Sequence, residues 1–81
     1  MPAISWILIE AEKSKAFDVL NKLAKLPFVK NTNAVKGDYQ ILAQATGRDF
    51  IILDRQISGK INSIAGIRRV TVLPSLSEGV I

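Results

Sequence analysis

The segment from Val35 to Tyr39 has the residue types best suited to holding a small molecule. Gly37 lets the backbone adopt a tight turn, in which exposed N–H groups can hold a carboxylate. Asp38 would place a negative charge beside that turn, where it suits an ammonium group. The same spacing is typical of a plain β-hairpin turn, and the residues by themselves leave both interpretations open.

Few residues could carry catalysis or hold a metal. The sequence has no His and no Cys, and it lacks the glycine-rich runs that cradle phosphates, so the usual zinc, thiol and nucleotide sites are without their residues. Carboxylates remain, but none stands at a spacing that singles out a catalytic pair, and we interpret them as solvated charges. They include Glu10, Glu12, Asp38, Asp49 and Asp54. We therefore expect no enzyme, no metal site and no cofactor.

Length and composition indicate one folded domain. With 81 residues, 48% of them hydrophobic, the chain is too short for two cores and too apolar to stay disordered. Its apolar runs are far shorter than the roughly 20 residues that span a bilayer, and its N-terminus is unlike a signal peptide, so we expect a cytoplasmic protein without membrane contact. The net charge of +4 raises nucleic-acid binding as an alternative, although only Arg68 and Arg69 form a tight basic pair.

Hydrophobic spacing predicts six elements in the order βαββαβ. The predicted strands cover residues 4–10, 28–36, 39–46 and 67–73, and the predicted helices cover residues 14–26 and 48–64. We expect Ser14 to cap the first helix, Asp49 to stabilise the start of the second, and Ser58-Gly59 to disturb it. This order is typical of a ferredoxin-like α+β fold, in which both helices cover one face of a four-stranded antiparallel sheet.

The first predicted strand is apolar on both faces. Alternation places Ser5, Ile7 and Ile9 on one face and Ile4, Trp6 and Leu8 on the other. A strand with one wet face would alternate apolar and polar residues, so we expect helices on one face and other protein on the second. A symmetric homodimer is the default partner. The predicted interface residues are Ile4, Trp6, Leu8 and Ile41. The alternative is an ordinary core around Trp6, beneath a loop or the C-terminal tail.

Three short motifs occur in an order that resembles a known family. They are Val35-Lys36-Gly37-Asp38-Tyr39-Gln40-Ile41-Leu42, then Asp49-Phe50 at the start of the second predicted helix, then Ile64-Ala65-Gly66-Ile67 before the last strand. In this order they resemble the C-terminal ligand-binding domain, also called the RAM domain, of the Lrp/AsnC transcription regulators. The resemblance covers nearly the whole chain. It implies a ferredoxin-like unit that pairs through its sheet into a dimeric α/β barrel, dimers that build octamers or other rings, and amino acids that bind between dimers.

The resemblance also implies a ligand site, because in this family the glycine-acid turn lines the effector site. The candidate ligand contacts are Gly37, Asp38, Tyr39, Gln40 and Thr71. Gln40 stands where the family often has a second Asp. The family has two Thr in the last strand where ungapped matching gives Val70 and Val72. Thr71 falls between them and is expected on the opposite face of the strand.

We expect residues 1–81 to form a single RAM-like ligand-binding and oligomerisation domain, with residues 74–81 as a C-terminal tail. The family's regulators carry an N-terminal helix-turn-helix domain, and no recognition helix fits this sequence. The expectation is a stand-alone, self-assembling regulatory module that binds a small molecule such as an amino acid and is linked to transcription regulation, without direct DNA binding. Its expected partners are copies of itself, the effector and full-length regulators of the Lrp/AsnC type. A dimeric α/β-barrel enzyme and a nucleic-acid-binding module are the alternatives.

Overall fold

The computed structural model describes residues 3–75 and has the predicted order of elements. The principal elements are β1 (Ala3–Ala11), α1 (Ala16–Ala24), β2 (Val29–Ala34), β3 (Ile41–Gly47), α2 (Phe50–Gln56) and β4 (Ile67–Ser75). A 3₁₀ turn at Lys13–Lys15 precedes α1, and a π-helical turn at Ile57–Ile61 extends α2. The chain therefore folds as a ferredoxin-like α+β unit. Residues 1–2 and 76–81, which include most of the predicted tail, lie outside the described residues.

The four strands form one sheet in the order β2-β3-β1-β4, and each neighbouring pair is antiparallel. β1 lies between β3 and β4, so that Ile7 is in register with Ala43 on one side and with Val72 on the other. This confirms the split βαβ topology. It also makes β1 and β3 the inner strands, with β2 and β4 at the edges.

The core lies between the helices and one face of the sheet. Every second residue of β1, from Ala3 to Ala11, is buried on this face. The other buried apolar residues include Ile41, Ala43 and Ala45 of β3, Val19 and Leu23 of α1, and Leu53, Ile57 and Ile61 of the second helical segment. Because each strand reverses its side chains at every residue, the intervening residues of β1 and β3 lie on the opposite face.

The start of the first helix differs from the prediction. The chain enters through the 3₁₀ turn, and no side chain caps either this turn or α1, so the prediction that Ser14 is a cap is wrong. The reason is a long-range contact, because the backbone N–H of Glu12 donates to the carbonyl of Gly66 at 2.9 Å and fixes where the turn begins. Phe17, although large and apolar, is 71% exposed.

The second helix has the predicted stabilisation at its start and the predicted irregularity in its second half. Oδ1 of Asp49 accepts a hydrogen bond from the backbone N–H of Ile52 at 2.9 Å and so caps the first turn. After Gln56 the α-helix gives way to the π-helical turn, which contains Ser58-Gly59. The wider turn leaves Ile57 and Ile61 both buried.

Both edge strands differ from simple pleated ribbons. β2 has a register shift between Lys30 and Asn33, with Asn31 between them in a left-handed conformation, φ 53°. β4 continues through Pro74, which we expected to end the strand. An edge strand tolerates proline because its outer N–H groups have no partner in the sheet.

Candidate functional site

The predicted ligand turn lies in a six-residue connection, Val35 to Gln40, between β2 and β3. It is longer than the predicted hairpin turn, since β3 begins at Ile41 rather than at Tyr39. Gly37 has a φ of 123°, which L side chains rarely adopt, and a Cβ there would meet no atom within 4 Å. The glycine is therefore required by backbone conformation and not by crowding. Gly37 and Asp38 are exposed, and Tyr39 is half-buried.

Gln40 holds this connection against the sheet. Its backbone N–H donates to the carbonyl of Ile9 at 2.9 Å, and its side-chain Oε1 accepts from the N–H of Ala11 at 2.8 Å. Its Nε2 donates to the carbonyl of Gly37 at 3.3 Å. Both ends of the amide are thus engaged within the chain, so Gln40 acts as a positioning residue for the turn.

Thr71 lies apart from the other four candidates. It is in register with Leu8 of β1, while the connection reaches β1 from the opposite side through Gln40 and Ile9. One strand therefore separates Thr71 from the turn within a single chain, a distance of about 10 Å at the usual strand spacing. The structure brings Gly37, Asp38, Tyr39 and Gln40 together and leaves Thr71 on the uncovered side of the sheet.

The side of the sheet that residues 3–75 leave uncovered, called here the open face, carries three rows of side chains across the strands. The rows are Thr46, Ile4 and Ser75; Gln44, Trp6 and Leu73; and Leu42, Leu8 and Thr71. Trp6 is 41% exposed and Leu73 is 49% exposed, although both are large and apolar. Ile4, Trp6 and Leu8 therefore lie on the open face as predicted from alternation.

Ile41 does not belong to this surface. It pairs with Ile9, lies on the helix-covered face and is 1% exposed. Its assignment to the same interface as Trp6 is wrong, because residues of β3 reach the open face only at Leu42, Gln44 and Thr46. Alternation counted along the strand from Tyr39 would already have shown from the sequence that Ile41 and Leu42 lie on opposite faces.

Polar groups border the open face. At the β2 edge, Nδ2 of Asn31 donates to Oε1 of Gln44 at 3.0 Å, and Nδ2 of Asn33 donates to the carbonyl of Asn31 at 3.0 Å. At the end of β1, Glu10 is in register with Arg69 of β4. The open face thus has an apolar centre and a polar border, which is the usual anatomy of a protein interface.

A second apolar surface lies on the other side of the molecule, between α1 and the β2–β3 connection. This surface, called here the Phe17 groove, has a volume of about 180 Å³ and is lined by Lys13, Ala16, Phe17, Leu20, Ala34, Val35, Gln40 and Ile41. The predictions from sequence did not include this groove or Phe17. The signal was present, since at 100° per residue Phe17 lies about 160° around the helix from the buried Val19.

Neither surface has the groups of a metal centre or a charged catalytic cluster. Within residues 3–75, no group of three or more His, Cys, Asp or Glu side chains could hold a metal ion. The ion pair found in that range joins Lys15 Nζ to Glu12 Oε2 at 3.8 Å on the surface. In the same part of the chain, no helix is both long and apolar enough to cross a bilayer.

Comparison with known proteins identifies the family of this chain. Residues 3–80 match the family model described as the Lrp/AsnC ligand binding domain. The chain belongs to this family. An uncharacterised HTH-type transcriptional regulator of Pyrococcus abyssi is 42% identical to the Lrp/AsnC domain over 77 residues, which are 93% of this chain and 49% of the regulator. A second uncharacterised HTH-type regulator, from Pyrococcus horikoshii, is 35% identical with the same coverage. The domain spans about half the length of these curated relatives.

Solved structures share the fold of the domain. AsnC of E. coli superposes with a TM-score of 0.88 at 22% identity, over 98% of this chain and 54% of that one. The hypothetical protein PHS023 of Pyrococcus horikoshii gives 0.85 at 25% identity, over 98% of this chain and 94% of that one. FFRP-DM1 gives 0.87 at 24% identity, over 91% and 99%. The ferredoxin-like assignment of this Lrp/AsnC domain is therefore confirmed.

Proposed function

We propose that this Lrp/AsnC domain is a self-assembling regulatory module that binds a small molecule, an amino acid, and links its presence to transcription regulation. The observation that carries the proposal is the open face, whose apolar centre at Trp6 and Leu73 is not covered within residues 3–75. The proposal assigns no catalytic role to the domain. It sets the domain in the cytoplasm, where an amino-acid effector is available to transcription regulators.

A second copy of the chain is the proposed occupant of the open face. A standard interface buries about 800 Å² on each partner, and the molecule measures 37 × 27 Å in its two longer directions, which gives the sheet enough surface. Edge-to-edge pairing is disfavoured, because the bulge at Asn31 interrupts one edge and Pro74 lacks an N–H on the other. Two copies would therefore join face to face, as a dimeric α/β barrel requires.

The effector is proposed to bind at the turn formed by Gly37, Asp38 and Tyr39. The exposed backbone around Gly37 suits a carboxylate, and the exposed carboxylate of Asp38 suits an ammonium group, so together they fit the two charges common to all amino acids. Thr71 lies across β1 from this turn and on the open face. We propose that Thr71 contacts the effector only when another copy places its open face or the end of its sheet beside the turn. The effector site would then lie at an interface between copies.

Full-length regulators of the same family are further proposed partners. The 42% identity to the Pyrococcus abyssi regulator supports a shared fold. Mixed assembly would let this domain modify a DNA-bound partner through the open face. Co-expression of the domain with such a regulator, followed by native mass measurement, should then give particles that contain both chains. Only homomeric particles would contradict this part of the proposal.

The proposed function is tested by native mass and by ligand-induced stabilisation on the same sample. We expect light scattering to give a multiple of 8.9 kDa and acrylamide to quench the single Trp6 poorly. At least one of the twenty amino acids should raise the melting temperature in proportion to the logarithm of its concentration. A lone 8.9 kDa particle with a readily quenched indole would overturn self-assembly, and no stabilisation by any amino acid would overturn the effector.

The principal alternative is nucleic-acid binding, which the net charge of +4 and the exposed pair Arg68-Arg69 suggest. Both arginines lie on the edge strand β4, and aromatic rings for base stacking are few, since the open face carries only Trp6. Retention on DNA or RNA that falls steeply with salt would favour this alternative. Retention on DNA or RNA that does not depend on salt would support the proposed regulatory module instead.

A further inference from the structure

The Phe17 groove is an exposed apolar surface that self-assembly through the open face leaves unexplained. The large exposed apolar residues of the described chain are Trp6, Phe17, Val35, Ile51 and Leu73. Trp6 and Leu73 lie side by side on the open face. Phe17 and Val35 instead line a single groove on the far side of the sheet. Two large side chains facing one concave surface indicate a site for an apolar group.

The dimensions of the groove limit what can occupy it. Its volume of about 180 Å³ is below the roughly 300 to 1,000 Å³ of sites for drug-sized ligands. Six of its eight lining residues are apolar, and they include the buried Ile41. A single apolar side chain or a short aliphatic chain fits this space, whereas a protein helix does not.

The charge at the groove specifies a second feature of the occupant. Lys13 is the charged residue of the lining, and no carboxylate within residues 3–75 lies within 4.0 Å of its ammonium group. Glu12, its neighbour in sequence, is paired with Lys15 instead. An apolar groove whose lining includes a lysine without a carboxylate partner in residues 3–75 complements a carboxylate that carries an apolar tail.

Gln40 connects the groove to the proposed effector turn. Its side chain lines the groove, and its Nε2 holds the carbonyl of Gly37 at 3.3 Å. Val35, at the start of the same connection, also lines the groove. A ligand in the groove would therefore lie against the residues that position Gly37 and Asp38.

From these observations we infer that the Phe17 groove receives the apolar side chain of the effector, and that Lys13 adds a positive charge for the carboxylate that the backbone around Gly37 binds. The inference rests on the proposed effector function and narrows it to carboxylates with a branched aliphatic or aromatic side chain. Amino acids and the corresponding 2-oxo acids share this chemistry. They differ in the ammonium group, for which Asp38 is the proposed partner.

The test is calorimetric titration of the intact chain with L-leucine, L-phenylalanine, 4-methyl-2-oxopentanoate and L-asparagine. We expect the tightest of the apolar carboxylates to bind at least about tenfold more strongly than L-asparagine. A preference for L-leucine over its 2-oxo acid would identify the amino acid as the ligand, and the reverse preference would identify the 2-oxo acid. Tighter binding of L-asparagine than of all three apolar carboxylates would overturn the inference and leave the proposed function standing.

Matched variants locate the bound side chain. Phe17→Ser should weaken binding of the preferred apolar carboxylate about tenfold, because the ligand loses its largest apolar contact. Ile51→Ser removes an equally exposed apolar residue, 69% exposed, which is not part of the groove, and should leave affinity unchanged. Both substituted positions are exposed, so the fold should tolerate either change. Equal affinities for Phe17→Ser and wild type would overturn the inference.

A second pair of variants tests the carboxylate. Lys13→Gln should weaken binding several-fold and reduce its dependence on salt, whereas Lys22→Gln, an exposed lysine further along α1, should do neither. Equal effects of the two lysine variants would overturn the role of Lys13. If none of the four ligands binds the wild type while another amino acid does, the apolar class is wrong. If no amino acid binds at all, the effector function itself fails.

Discussion

Both faces of β1 carry large apolar residues, but residues 3–75 of the chain cover only one face. Ile7 and Ile9 are fully buried beneath the helices, whereas Trp6, between Ser5 and Ile7 in sequence, remains 41% exposed. The difference does not come from hydrophobicity. It comes from topology, because both crossover helices of a split βαβ unit pack on the same side of the sheet. An apolar residue on the second side is therefore evidence for a partner and not for a core.

The largest expected effect is a loss of folding stability when a residue on the helix-covered face of β1 is truncated. Ile7→Ala should lower the free energy of unfolding by about 2 to 5 kcal/mol, because it leaves a cavity beneath the helices that the close-packed core cannot fill. Urea denaturation at several protein concentrations measures this loss. The loss should be the same at every concentration, since Ile7 lies on no proposed interface. A concentration-dependent loss would contradict the division of roles between the faces.

The second effect concerns association and not folding. Trp6→Ser should raise the dissociation constant of the homodimer at least about 30-fold, as expected for a central aromatic residue of an interface. The far-ultraviolet circular dichroism spectrum should stay unchanged, because the core side of β1 is intact. Sedimentation velocity measures the shift toward monomer. Ile51→Ser is the matched control, since it removes an exposed apolar residue elsewhere.

The helix-covered side should also be sensitive to one added methyl group. Gly66 has a φ of 98°, and a Cβ there would lie 2.9 Å from Cβ of Lys15 and 3.1 Å from Cγ2 of Val19. Gly66→Ala should therefore cost about 1 to 3 kcal/mol of stability through strain and crowding. In Gly59→Ala the added Cβ meets nothing within 4 Å, so that variant should be neutral or more stable by up to about 1 kcal/mol. Thermal unfolding of the two variants beside wild type decides between the cases.

Much of the fold could be predicted from local patterns. The alternation in β1, the stabilisation of the second helix's start by Asp49 and the irregularity at Ser58-Gly59 depend only on residues close in sequence, and the structure confirms all three. The cap at Ser14 failed because Glu12 bonds to Gly66, a contact between segments far apart in sequence. Local signals do not encode such contacts.

The candidate site was less predictable for the same reason. Gln40 stays a predicted ligand contact, but its role in holding the turn through Ala11 and Gly37 was not predicted, because the bond to Ala11 exists only once β1 and β3 are paired. Thr71 could be placed beside the turn or away from it only after the strand order was known. The Phe17 groove, in contrast, follows from helix geometry that the sequence already contains. Long-range pairing therefore limited the prediction more than any missing motif did.

The smallest effect concerns the one polar side chain on the buried side of β1. Ser5 is fully buried between Ala45 and Pro74, and its Oγ has no hydrogen-bond partner among the described residues. Ser5→Ala breaks no hydrogen bond, because this hydroxyl makes none among the described residues, and it removes the cost of burying an unpaired polar group. The variant should therefore be as stable as wild type or more stable by about 1 kcal/mol.

Ser63→Ala provides the comparison, because its exposed hydroxyl donates to the carbonyl of Lys60 at 3.0 Å and its removal should change stability by less than about 0.5 kcal/mol. Chemical denaturation of both variants measures the difference. A loss of 1 kcal/mol or more for Ser5→Ala would mean that the hydroxyl is hydrogen-bonded in solution. The helix-covered face of β1 would then contain a side-chain hydrogen bond. The two faces of β1 would differ in hydrogen bonding as well as in burial.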